Sequence, residues 1–162
     1  MRSNHFRINN RGEVFGLSHN SHGPTGPTFY STSAEPQSRG GCPGGDANDR
    51  GDVTSQGCQF GPRSVNFDDG SFAFIPEIGI RGTSAATAIN NHGTVAGTYA
   101  YTSPQPRHAF LWDGTETLDV EYDSDEWRID SVSDLNDAGV ILAHATNTAT
   151  GQKGAVLLRP RE

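Results

Sequence analysis

The chain has 162 residues, 33% of them hydrophobic, with 20 glycines, 9 prolines and a formal net charge of −7. That length suits a single domain with a thin core, and an acidic balance without a basic stripe argues against a nucleic-acid partner, whose binders concentrate Lys and Arg on one face. No stretch approaches the roughly 18 consecutive apolar residues of a membrane-spanning helix, and the start, Met1-Arg2-Ser3-Asn4-His5-Phe6, has no apolar segment of the kind a secretory signal peptide carries.

In chain order, the first recognisable element is Ile8-Asn9-Asn10-Arg11-Gly12-Glu13-Val14-Phe15-Gly16. It returns as Ile89-Asn90-Asn91-His92-Gly93-Thr94-Val95-Ala96-Gly97 and, in a reduced form, as Leu135-Asn136-Asp137-Ala138-Gly139-Val140-Ile141-Leu142-Ala143. The second copy shows the physics. Ala86-Thr87-Ala88-Ile89 alternates as a half-buried strand does, and Asn90-Asn91-His92-Gly93 supplies residues that tolerate positive φ in a tight turn. Residues 94–101, rich in β-branched and aromatic side chains, predict a second strand. Residues 107–112 predict a third, Asp113-Gly114 a turn, and residues 116–120 a fourth. The third copy repeats this spacing: Asn90 to Ala109 and Asn136 to Ala155 are both steps of 19 residues. In the first copy the matching strand is read as Phe72-Ala73-Phe74-Ile75, which leaves 45 extra residues. The expectation is an all-β domain of three four-stranded antiparallel meanders, at about 5–82, 83–128 and 129–162, with a Gly/Pro-rich insertion at about 19–70 and the last unit short of its fourth strand.

The residues Ala88-Ile89-Asn90-Asn91-His92-Gly93-Thr94-Val95-Ala96-Gly97, followed by His108-Ala109-Phe110-Leu111-Trp112-Asp113-Gly114, resemble the HAF-repeat family of bacterial extracellular proteins. The resemblance covers about two thirds of the chain and excludes the insertion. It implies β-propeller-like blades and an extracellular or cell-surface setting, and it carries over no catalytic residues. Three units closing alone as a β-trefoil or β-prism is the alternative architecture. His108, at the head of its strand, is expected to pack or to bond between blades.

Cys42 and Cys58 are the only cysteines. With the extracellular setting that the resemblance implies, they are expected to form a disulfide, which the loop-closure model values at about 3 kcal/mol. Between them, Asp46-Ala47-Asn48-Asp49-Arg50-Gly51-Asp52 has the start of a calcium loop, with Asp46, Asn48 and Asp52 at the oxygen-bearing positions and Gly51 at the sharp turn. Arg50 and Gly57 stand where two further ligands belong, and a solvated acidic turn is the plainer account. Arg50-Gly51-Asp52 is also the tripeptide that integrins read, though short enough to occur by chance.

Alternating strands send the tight Asn-turns to one end of the sheets and the longer connections to the other, where binding residues concentrate on a rigid scaffold. The candidates there are Tyr122, Asp123, Asp125, Glu126 and Trp127, with Tyr30 and Tyr101, because aromatic rings beside carboxylates suit the apolar faces and hydroxyl edges of sugars. The plainer account is a solvated linker with Trp127 covering a sheet edge. No nucleophile elbow anchors a Ser-His-Asp set. The sequence therefore points to a structural or interaction module that binds a protein partner or a second copy of itself. Carbohydrate binding is the alternative, and a hydrolase using acidic loop residues is the least supported.

Overall fold

The computed structural model describes residues 3–20, 23–31, 34–38, 44–58, 61–66, 70–76, 78, 84–100 and 107–161. Strands alone make up the regular structure of these residues, without a helix. In order they are β1 (Ser3–Ile8), β2 (Val14–Asn20), β3 (Gly23–Ser31), β4 (Ala34–Ser38), β5 (Gly44–Ala47), β6 (Asp52–Cys58), β7 (Gly61–Asn66) and β8 (Phe72–Phe74). They continue as β9 (Ala85–Ile89), β10 (Val95–Tyr99), β11 (His108–Trp112), β12 (Thr117–Asp119), β13 (Trp127–Leu135), β14 (Ile141–Asn147) and β15 (Lys153–Leu158). The all-β class holds, and among the described residues no helix is long and apolar enough to cross a membrane.

The organisation within that class differs from the expected three meanders. β1-β2-β3-β4 form one antiparallel sheet and β13-β14-β15 another. Between them lies an eight-stranded sheet in the order β12-β11-β10-β9-β6-β7-β8, with β5 also paired to β6. Among the described residues a single register pair, Gln56 opposite Ala85, joins its two halves, so that β5–β8 and β9–β12 each read as a meander of their own.

The described residues between 19 and 70 are mostly strand rather than irregular chain. They hold β3 and β4, which complete the first unit, and β5, β6 and β7, which open another. The segment Gly23-Pro24-Thr25-Gly26-Pro27, within the Gly/Pro-rich stretch, runs in β3 against β2. The reason lies in the register. Among the described residues β4 flanks β3 only from Thr28 onward, so Pro24 and Pro27 fall where β2 is the one described neighbour of β3 and a missing N–H costs little. Phe72-Ala73-Phe74 is β8, the last strand of the second unit, and not the third strand of the first. That third strand is β3: Tyr30 stands opposite Val14 as Val65 stands opposite Val53, Trp112 opposite Val95 and Leu158 opposite Ile141.

The four units follow one another through their first strands, β1 meeting β5, β5 meeting β9 and β9 meeting β13. Their alternating side chains split into two faces. On β9 and β10, Ile89 and Val95 pack with Ile75, Tyr99, Phe110 and Trp112 toward the second unit. Ala88, Ala96 and Ala109 on the opposite face meet Ile129, Val132, Leu135 and Ile141 of the last unit. A smaller contact of Phe15, Val53 and Ala47 joins the first unit to the second. His108 stacks on Tyr99, its cross-strand neighbour, with ring centroids 5.3 Å apart.

Gly97 marks the tightest place in this packing. A Cβ there would strike the Ala85 carbonyl and lie 2.6 Å from the Phe110 ring, so the strand crosses the core only without a side chain.

Candidate functional site

The four units share one turn. Asn9-Asn10-Arg11-Gly12, Asn48-Asp49-Arg50-Gly51, Asn90-Asn91-His92-Gly93 and Asn136-Asp137-Ala138-Gly139 each close a hairpin, and their glycines have φ of 76°, 80°, 86° and 75°. L side chains avoid that left-handed region, which explains the fixed glycine. In each turn the glycine N–H donates to the carbonyl of the leading Asn. The Asn Oδ1 then receives backbone N–H groups across the turn: Arg11 and Glu13 on Asn9, Arg50 and Asp52 on Asn48, His92 and Thr94 on Asn90, and Val140 on Asn136.

The other end of the same amide couples the units. Asn9 Nδ2 donates to the Asn48 carbonyl at 3.1 Å, Asn48 Nδ2 to the Asn90 carbonyl at 3.0 Å, and Asn90 Nδ2 to the Asn136 carbonyl at 3.3 Å. Asn9, Asn48 and Asn90 are buried, and Asn136 is exposed. A second rung runs beside the first through the next residue of each turn. The Asn10 N–H and Nδ2 donate to the Asp49 carboxylate, the Asp49 N–H donates to Asn91 Oδ1, and the Asn91 N–H and Nδ2 donate to the Asp137 carboxylate. Hydrogen bonds from Asn10, side chain first and then backbone, hold the Asp49 carboxyl below the usual carboxylate range. Arg50 adds a bond to the His92 carbonyl and lies over Gly93.

The residues read as a calcium loop are the turn of this previously unseen copy. Asn48 Oδ1 is occupied by two backbone N–H groups, and its Nδ2 faces Asp52 Oδ2 at 2.9 Å. Asp52 also receives Arg50 Nε at 3.0 Å and Asn66 Nδ2 at 2.8 Å. The first turn repeats the arrangement with Asn9, Arg11 and Glu13. Asp46 stands apart, its carboxylate taking the Ile89 N–H at 3.2 Å and lying 3.5 Å from Arg7 Nε. Burial, opposed by that N–H, pushes its carboxyl up. The described residues contain no cluster of three or more His, Cys, Asp or Glu arranged to hold a metal. Arg50-Gly51-Asp52 presents no free carboxylate to a receptor, because Asp52 is buried and bonded within its own turn. Cys42 lies outside the described residues, as does Tyr101; Cys58 ends β6 and Tyr30 belongs to β3.

Part of the linker borders a groove of about 670 Å³ between β12 and β15. Tyr122, Asp123 and Trp127 line it, and Asp125 and Glu126 do not. Asp123 is exposed and lies 2.6 Å from Arg161. The aromatic pair is turned inward: Tyr122 and Trp127 pack on the apolar layer of the last unit, and the Trp127 ring lies over Gly154. Tyr122 Oη accepts the Ile129 N–H at 3.4 Å. Asp125 and Glu126 contribute backbone carbonyls to Thr148, which ties the linker to the β14–β15 turn. The sequence missed the turn ladder as a site. Its signal was present, since Asn48-Asp49-Arg50-Gly51 has the same pattern as Asn9-Asn10-Arg11-Gly12.

Neither a family model nor a curated protein matches this chain.

Proposed function

We propose that the chain is a structural and interaction module of propeller-like β repeats, related to the HAF-repeat proteins and set outside the cell or on its surface, that works by assembly rather than catalysis. The observation carrying this reading is the turn ladder. Each unit is coupled to the next by the same amide-to-carbonyl bond, and the last donor in the series, Asn136, is left exposed. A repeat that buries one face only against its neighbour favours continuation. Four similar units also favour blades over a trefoil or prism, whose closure rests on a three-fold count. Solution mass measured across a wide concentration range tests the reading. Concentration-dependent association is expected, and a strict monomer at the highest concentration rejects assembly as the function.

The groove beside β12 and β15 favours carbohydrate as a second reading, since an aromatic edge, a carboxylate and a guanidinium meet there. A glycan panel with Trp127→Ala as control decides it. Binding abolished by the substitution supports a sugar site, and silence across the panel removes it.

A further inference from the structure

The two ends of the array carry matching, uncovered surfaces. In the last unit, Leu142 and Leu157 occupy the positions that Ala96 and Leu111 hold in the third, counted from Asn136 and Asn90. Ala96 is fully buried, and Leu111 packs against the last unit. Leu142 and Leu157 are 36% and 54% exposed. In the first unit, Ile8 occupies the position of Ile89 and Leu135, each 4% exposed, yet Ile8 is 71% exposed. One end thus exposes the face that elsewhere receives the following unit, and the other exposes the face that elsewhere covers the preceding one.

The polar groups at the two ends are complementary in the same sense. At the last turn the Asn136 amide meets no acceptor among the described residues, and the Asp137 N–H is the next donor of the second rung. At the first turn, Asn9 O and Asn10 Oδ1 are the acceptors that no neighbouring turn uses among the described residues. The second rung alternates Asn10, Asp49, Asn91, Asp137. Placing Asn10 after Asp137 recreates the Asp49–Asn91 pairing and keeps every carboxylate facing an amide.

We infer that the partner is a second copy of this chain, whose first unit packs on the last unit of its neighbour through Ile8 against Leu142 and Leu157, and through Asn9 and Asn10 against Asn136 and Asp137. This rests on the assembly reading above and specifies its geometry. The contact is head-to-tail, so it joins unlike surfaces and either closes a ring or runs on as an open polymer.

Two substitutions at opposite ends test this. Ile8→Arg blocks the first-unit face and Leu157→Arg the last-unit face, each placing an unpaired charge in the contact. Analytical ultracentrifugation of each protein alone is expected to show self-association weakened roughly a hundredfold or more. A one-to-one mixture is expected to recover a dimer, because one copy keeps an intact last unit and the other an intact first unit. Ala155→Arg, on the same outward side of β15 and exposed, repeats the Leu157 arm with less risk to folding, and circular dichroism confirms the strands in each variant. If Leu157→Arg is monomeric while Ile8→Arg still assembles, the contact joins like faces and the head-to-tail arrangement is wrong. If both variants assemble as the wild type does, the contact lies elsewhere, and only this inference fails. A wild type that stays monomeric overturns both this inference and the assembly reading.

Discussion

Asn48 Nδ2 donates to the carbonyl of Asn90 at 3.0 Å, across 42 residues of chain. The same side chain closes its own turn through Oδ1, which takes the N–H groups of Arg50 and Asp52. One amide therefore both folds a hairpin and couples it to the next. A carboxylate would accept in the turn but offer no donor to the neighbour, and an aliphatic side chain would do neither.

Asn90→Ala removes two acceptor contacts and one donor contact at a buried site. It is expected to destabilise the fold by about 2–4 kcal/mol, because turn N–H groups and the Asn136 carbonyl lose partners together. Asn136→Ala, at the exposed end of the series, should cost about 1 kcal/mol. Urea unfolding of the two variants compares them directly, and equal losses would show that the inter-unit bond contributes nothing.

Gly97→Ala adds one methyl group where the Ala85 carbonyl and the Phe110 ring already touch the strand. Overpacking of this kind costs roughly 1–3 kcal/mol. Gly114→Ala is the contrast. It has open space around the added Cβ and only an unfavourable φ of 105° to overcome. Thermal melts should place Gly97→Ala well below Gly114→Ala, and the reverse order would mean that the core yields at Gly97.

The all-β class and the hairpin turns were legible because they rest on local chemistry: the alternation in Ala86-Thr87-Ala88-Ile89 and the positive-φ glycine after each Asn pair. The second unit was not legible as a repeat. Its turn is intact, but Ala47 replaces the Ile or Leu before the Asn, and no His-Ala-Phe strand follows. Those changes give Asp46, Asn48 and Asp52 the spacing of oxygen ligands, and in the fold Asn48 and Asp52 are hydrogen-bond partners within one turn. Trp127 could be read in sequence either as a binding aromatic or as the cover of a sheet edge, and its ring packs inward on the last unit, where Gly154 leaves room for it.

Acid should loosen the turns in a definite window. Hydrogen bonds from the Thr115 side chain, then from the Glu116 and Thr115 N–H groups, hold Asp113 down to about 2, and Asn10 lowers Asp49. A carboxylate depressed in the folded state contributes stability that is full above its unfolded value and lost as pH falls through the folded one. The loss should therefore develop from the ordinary value of 3.8 toward about 2. Asp46 has the opposite sign: burial raises its folded value, so protonation relieves a cost and partly offsets the loss. Melting temperature followed between these pH values should fall in the wild type and run flatter in Asp113→Asn, which cannot titrate. Parallel curves would remove Asp113 from the account.

Calcium should leave the midpoint of thermal unfolding unchanged. A ligand that binds only the folded state must raise stability, and calcium binding here would first have to free Asn48 Oδ1 from two backbone N–H groups and Asp52 from Asn48, Arg50 and Asn66. Asp52→Ala is nonetheless expected to destabilise by about 2–3 kcal/mol, since it removes the buried acceptor shared by Asn48, Arg50 and Asn66, and by the same amount with or without the ion. Melts of wild type and Asp52→Ala in chelator and in millimolar calcium separate the two roles. A midpoint that rises with calcium in the wild type, and does not in the variant, would make Asp52 a ligand after all. A loss independent of calcium fixes it as the residue that closes the second turn and anchors Arg50 over Gly93.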